Sequence, residues 1–124
     1  MKIVIEGNPI PLQRARAFKS GFYDPQFIAK RNYASVVKEQ YKKAPIETPI
    51  VLELTFLFEM PKSWSKKKKE KMKDTPHTGN KDIDNLTKYV LDSLNEVIWI
   101  DDCIIYRLFA EKRWAEKGST IIEF

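Results

Sequence analysis

The chain has 124 residues, 43% hydrophobic and 12% aromatic, which is enough apolar material for one core and too little length for two. A single cysteine, Cys103, excludes an intramolecular disulfide and any thiolate zinc site with ligands from one chain. The 22 Lys and Arg against 17 Asp and Glu leave a net charge of +5, which favours a polyanionic partner; no apolar run approaches a membrane span, so a cytoplasmic protein without a membrane anchor is expected.

Residues 1–6 alternate apolar and polar side chains until Gly7-Asn8-Pro9 breaks the pattern, which predicts a first strand. A loop follows through Arg14, Arg16 and Lys19 to Asp24-Pro25, an N-cap and first helical residue by type. From there to about residue 43, Ile28, Ala34, Val37 and Tyr41 recur at helical spacing. Residues 50–59 carry the cleanest strand pattern, with Ile50, Leu52, Leu54, Phe56 and Phe58 on one face, and suit an antiparallel or mixed sheet. Ser65 then reads as the N-cap of a lysine-rich helix over 66–73.

Asp82 and Asp84 lie two apart, so an extended backbone points both to one side. A helix is predicted from about Asp84, with Leu86, Val90, Leu94 and Val97 on its apolar face and Asp84, Lys88, Asp92 and Asn95 on its polar one. Residues 97–100 and 104–109 are β-rich runs interrupted by Asp101-Asp102, and residues 120–124 close the chain as a last strand. The expected fold class is α/β or, more narrowly, α+β: one domain over 1–124, a mixed sheet of four to five strands and two to three helices.

Converging carboxylates repel unless a cation joins them, and hard oxygen ligands suit Mg²⁺, with Mn²⁺ as a substitute. Asp82, Asp84 and one or both of Asp101 and Asp102 form such a set, and Lys88, one helical turn after Asp84, can neutralise phosphate charge beside it. Spacing alone leaves a structural reading equally open. In that reading Asp84 is an N-cap that pairs with Lys88, and Asp101-Asp102 is a hairpin turn.

The run Lys81-Asp82-Ile83-Asp84-Asn85-Leu86-Thr87-Lys88, followed by Leu91-Asp92-Ser93-Leu94-Asn95 and by Val97-Ile98-Trp99-Ile100-Asp101-Asp102, resembles the signature of RusA-type Holliday junction resolvases. Gly7-Asn8-Pro9 to Arg16 and Pro61-Lys62-Ser63-Trp64-Ser65 with Pro76-His77-Thr78 resemble further stretches of that family. The resemblance implies a homodimeric, often prophage-borne endonuclease that uses Mg²⁺ or Mn²⁺ to nick two opposing strands of a four-way DNA junction, in recombination and repair. It implies catalytic roles for Asp82, Asp84, Asp102 and Lys88, with Asp101 beside them as a further metal ligand. Two positions depart from the pattern: Lys81 stands where proline is common, and Ile104 and Ile105 where a glutamine often follows the paired acids.

Arg14, Arg16, Lys19, Lys66, Lys67, Lys68 and Lys69 are the expected DNA contacts. His77 reads as a loop residue, with a general base or a DNA contact as its other roles; Trp99 as a residue of the sheet or the dimer interface; Cys103 as a small buried hydrophobe; and Phe18, Phe22 and Tyr23 as loop anchors or base-stacking rings. The rival readings are a nucleic-acid-binding module that does not cut, and a nuclease for flaps or other branched DNA.

Overall fold

Strict alternation builds the central strand: Ile50, Leu52, Leu54, Phe56 and Phe58 are all buried on one face of β4 (Ile50–Glu59). The structure, a computed structural model, describes residues 1–13, 16–18 and 21–124, and of Arg16, Phe18 and Phe22 the backbone alone. β4 pairs in parallel with β5 (Ile105–Ala115) and antiparallel with β6 (Ser119–Glu123), and β1 (Lys2–Glu6) lies beyond β6, giving the order β1-β6-β4-β5. The parallel pair needs a long crossover. Two helices supply it, α2 (Lys66–Met72) and α3 (Ile83–Leu94), while α1 (Phe27–Gln40) joins β4 to the hairpin of β2 (Arg16–Phe18) and β3 (Gly21–Tyr23). The fold is α+β with a mixed sheet, and no described helix is long and apolar enough to cross a membrane.

α3 is amphipathic as its sequence requires: Leu86, Tyr89, Val90 and Leu94 are buried and Asp84 and Lys88 are exposed. The first helix begins later than expected. Asp24 shapes a turn, its Oδ1 accepting the Gln26 N–H at 2.8 Å, and α1 starts at Phe27 and stops at Gln40. Its core stripe is Tyr33, Ala34, Val37 and then Tyr41 at the cap. Ile28 is 62% exposed, because it stands five positions before Tyr33, which turns it about 140° away at roughly 100° per residue.

Residues 97–100 are not a strand. The Val97 and Ile98 N–H groups both donate to the Leu94 carbonyl at 3.1 Å, so the chain leaves α3 through a turn that drives Ile98 and Trp99 into the core. Trp99 is fully buried, and its Nε1–H donates to Asn95 Oδ1 at 3.0 Å, which satisfies the indole's single donor. Trp99 therefore belongs to the core between α3 and β5, not to the sheet. Asp102–Ile104 form a short 3₁₀ turn, and β5 then runs on to Ala115, six residues past the expected end.

Both outer strands of the sheet have covered stretches. On β1 the Gln40 side-chain amide takes both backbone groups of Val4, accepting its N–H at 3.2 Å and donating to its carbonyl at 2.8 Å. Along the second half of β5, residues 74–77 run as an extra lace: Asp74 N–H donates to Trp114 O, Trp114 N–H to Thr75 O, and His77 N–H to Lys112 O, each at 3.0 Å.

Candidate active site

The paired acids stand where α3 begins. Asp82 precedes the first helical residue in extended geometry and makes no capping hydrogen bond through its side chain, so its carboxylate is not consumed by the helix end. Asp84 lies in the first turn, its Oδ1 accepting the Asn85 N–H at 2.9 Å, where negative charge meets the positive end of the helix dipole. Both are exposed, and neither forms a salt bridge among the described residues. In a chain of net charge +5, two adjacent carboxylates without a cationic partner are an uncommon surplus of local negative charge.

Three contacts fix the backbone that carries them. Lys112, on the core face of β5, reaches across to donate to the Lys81 carbonyl at 2.6 Å and the Gly79 carbonyl at 3.5 Å. The His77 ring stacks on Phe58 at 4.1 Å between centroids and leans on Trp114 at 4.4 Å; Trp114 in turn meets Trp64 at 4.9 Å. Gly79 packs on that ring so closely that an added Cβ would stand 2.8 Å from its Cε1. From the other side the Leu12 N–H donates to the Asn85 carbonyl at 2.9 Å, so the chain at Leu12 is tied to the residue that follows Asp84.

Asp101 and Asp102 lie at the other end of α3, where the chain leaves the core turn for β5. A 12-residue helix is about 18 Å long. Asp101 is exposed and its carboxyl is held below the usual carboxylate range, chiefly by a hydrogen bond from the Cys103 thiol and then by backbone N–H groups of Cys103 and Asp102. The same contact pushes the Cys103 thiol up. Cys103 is exposed, against the expectation of burial, because the 3₁₀ turn points it out beside Asp101. Among the described residues no three His, Cys, Asp or Glu side chains stand close enough to share a metal ion. One chain thus presents its four acids as two separate pairs.

The donor chemistry of either pair still fits a hard divalent cation. Mg²⁺ takes one or two carboxylates and completes its octahedron with water and substrate phosphate, so a closed cage of three or four protein ligands is not required. Lys88 is 62% exposed and stands 4.0 Å from Asp92, which also lies 3.9 Å from Lys30; Lys30 is bound more closely to Asp24, at 2.8 Å. That hydrogen bond from Lys30, followed by the one from the Gln26 backbone, lowers the Asp24 pKa. Asp92 is therefore shared between Lys30 and Lys88, and Lys88 is held only loosely, on the same helix face as Asp84. A groove lined by Ile83, Asp84, Thr87, Lys88 and Leu91 of α3 and by Leu108 and Ala110 of β5 opens beside the acids.

Of the expected DNA contacts, Arg14 and Lys19 and the side chain of Arg16 lie outside the described residues, as do the Phe18 and Phe22 side chains. Lys66, Lys67 and Lys68 are exposed and Lys69 half-buried on α2, and none of the four is ion-paired among the described residues. Lys68 sits 4.3 Å over the Trp64 ring. Ser65 caps this helix as expected, accepting the Lys68 N–H at 3.1 Å. His77 is buried, and burial first, then the Lys112 ammonium, lowers its pKa. It is a packing residue of the site's scaffold rather than a reachable base. The residue that sequence reasoning missed is Lys112. Its signal was present: alternation from Leu108 and Ala110 to Trp114 places a lysine on the inward face of a strand, where an unpaired ammonium has to find carbonyls.

Residues 6–124 match the family described as endodeoxyribonuclease RusA. A protein of Bacillus subtilis (strain 168), described as "Uncharacterized protein YqaN", is 30% identical over 127 aligned residues that span 94% of this chain and 89% of that one.

Proposed function

Since the chain belongs to the RusA endodeoxyribonuclease family, we propose that it is a divalent-metal-dependent, structure-selective endonuclease that resolves Holliday junctions by paired, symmetric incisions. The observation that carries this reading is the exposed pair Asp82 and Asp84 at the start of α3, without a salt bridge among the described residues, with Lys88 one turn along on the same face. Asp82 and Asp84 would hold Mg²⁺, or Mn²⁺ in its place, and Asp102 with Asp101 would complete the acid set. When bound, the ion supplies Lewis-acid polarisation of the phosphodiester and charge stabilisation at the leaving oxygen.

The chain's own residues position the reaction. The Lys88 ammonium donates to a non-bridging phosphate oxygen as negative charge accumulates there. The carboxylates accept hydrogen bonds from the attacking water and align it. A water oxygen attacks phosphorus in line with the 3′ oxygen, the bond from phosphorus to that oxygen breaks, and one water proton ends on it, leaving 5′-phosphate and 3′-hydroxyl ends. Lys66, Lys67, Lys68 and Lys69, with Arg14, Arg16 and Lys19, would grip the phosphates flanking the cut. A junction has approximate two-fold symmetry, so a homodimer of this single domain, 1–124, presents two sites to two opposed strands. A cytoplasmic, prophage-associated role in DNA recombination and repair fits this activity.

The test is cleavage of a synthetic four-way junction in Mg²⁺ beside a linear duplex and a flap of the same sequence. Symmetric nicks in the junction alone support the proposal. Equal cutting of duplex or flap would make the chain a less selective nuclease, and tight junction binding without any nick would make it a binding module.

A further inference from the structure

α2 carries more positive charge than its acids answer. Lys66, Lys67 and Lys68 open it with no acidic residue in the first turn, where the helix dipole is already positive. Lys71 follows one turn after Lys67, which sets like charges on one face and weakens the helix further. Sequences keep such a conflict between local preference and fold where the residues serve a site. A cleft lined by Ser65, Lys67, Lys68, Lys71 and Met72 opens on this face, and none of its three lysines is ion-paired among the described residues. The cleft on the other side of α2 is balanced: Lys66, Lys69 and Lys73 share it with Glu70 and Glu116, and Lys73 stands 3.6 Å from Glu116.

We propose that the cleft of Lys67, Lys68 and Lys71 is a backbone-phosphate site for a duplex arm of the substrate, held at a fixed distance from the acids. The proposal deepens the nuclease reading above and rests on it; it concentrates the phosphate grip of α2 on one face and adds Lys71. The chemistry of the cleft selects this ligand. Its lysines are point-charge donors with no acceptor to read a base edge. The one ring at hand, Trp64, is occupied by Lys68 at 4.3 Å and by Trp114 at 4.9 Å, so it is not offered to an unpaired base. Charge without a stacking surface fits duplex phosphates and not a single strand.

The distance is fixed because the excursion that carries α2 leaves and rejoins the sheet at one end of β5. Met60 N–H donates to Ala115 O at 2.9 Å, Asp74 N–H to Trp114 O at 3.0 Å, and Arg113 Nη1 to the Asp74 carbonyl at 2.6 Å. Between these ties, Trp64 seats the start of α2 on Trp114. Trp114 lies two residues along β5 from Lys112, whose ammonium holds the Lys81 carbonyl beside Asp82. At about 3.3 Å per strand residue, with the two ring contacts added, the lysine cleft falls within roughly 20 Å of Asp82. That reach is about six base pairs, or half a turn of duplex, at about 3.4 Å per base pair.

The test is binding of the full chain to a synthetic four-way junction in EDTA, titrated from about 50 to 200 mM salt. Each phosphate contact contributes about 0.9 to the slope of log K against log salt, so Lys67→Gln/Lys68→Gln/Lys71→Gln should lower the slope by about 2–3 per chain. Lys38→Gln/Lys42→Gln/Lys43→Gln removes the same charge around Gln40 at the β1 edge and should lower it by less than about 1. An unchanged slope in the first variant leaves those lysines a solvated face, and an equal fall in both leaves only a diffuse field; either overturns the site. The double variant Lys66→Gln/Lys69→Gln should lose less than half as much as the first, and an equal loss overturns the choice of face. All these side chains are replaced by a good helix former, and a Tm no lower than that of the wild type confirms the fold. A second measurement places the site. Neutral methylphosphonates, stepped outward along one arm in blocks of three, should weaken wild-type binding about tenfold at a block within about half a turn of the crossover, and should leave the triple variant indifferent to that block. Interference at no block, or the same interference in the variant, overturns the fixed distance. A wild-type chain that meets both expectations yet never nicks a junction in Mg²⁺ refutes the nuclease reading and leaves the phosphate site standing.

Discussion

Replacing Lys112 by Met keeps the length of the side chain and removes the ammonium that donates to the Lys81 and Gly79 carbonyls. A hydrogen bond from a charged donor is worth ~1.5–3 kcal/mol when sheltered; here it is solvent-exposed, so we take about 1 kcal/mol. For a chain of this size that is a fall in Tm of roughly 3–5 °C, small beside total stability. The effect on cleavage should be larger. The bond fixes the residue next to Asp82, and a displacement of about 1 Å in a reacting constellation costs on the order of a hundredfold in rate. Single-turnover cleavage of a four-way junction, measured beside thermal melting, separates the two effects, and Lys112→Arg should recover part of the rate by restoring a cationic donor. A Lys112→Met protein that cuts at the wild-type rate would refute the claim that β5 positions the acids.

The buried His77 ring should leave a signature in the acid limb of stability. Its pKa is lowered from 6.5 in the fold, so the unfolded chain takes up the proton first; the ring's contribution is whole above about pH 6.5 and is lost as pH falls through the lowered value. His77→Phe keeps the stack on Phe58 and should flatten the fall in Tm between pH 7 and 5, and an unchanged pH profile would count against the lowered pKa. Gly79→Ala drives a methyl into that ring and should cost about 1–3 kcal/mol in urea unfolding while reducing cleavage; wild-type stability would show that the ring yields. Lys88→Met, on an exposed side chain, should leave Tm within about 1 °C and slow cleavage at saturating junction at least tenfold, and a rise in KM alone would make it a binding residue.

How far the residues disclosed the structure depended on how local each signal was. β4 was legible because five inward residues alternate without interruption, and the start of α2 because Ser65 precedes a run of helix formers. The pairing of β2 with β3 was not, since three-residue strands carry too short a pattern to stand out from loop. Residues 97–100 read as a strand because an apolar run has no periodicity that separates a buried strand from a buried turn, and only the two bonds to Leu94 O decide it. β5 was read short because Lys112 and Arg113 interrupt its apolar character, one serving the site and the other pairing with Glu111. For the acids, chain order did not carry their arrangement: Asp102 stands eighteen positions after Asp84, and the helix between them keeps the two apart.

The central claim is that Asp82 and Asp84 act as metal-holding carboxylates in phosphodiester hydrolysis. The most direct measurement is the rate of nicking of an end-labelled four-way junction against Mg²⁺ concentration, for the wild-type chain and for Asp84→Asn, each of confirmed fold. We expect saturable, EDTA-reversible cleavage at symmetric positions in the wild type and a loss of at least a hundredfold in Asp84→Asn with junction binding retained, in the range that removal of an electrostatic catalytic group produces. Undiminished, metal-responsive cleavage by Asp84→Asn would contradict it.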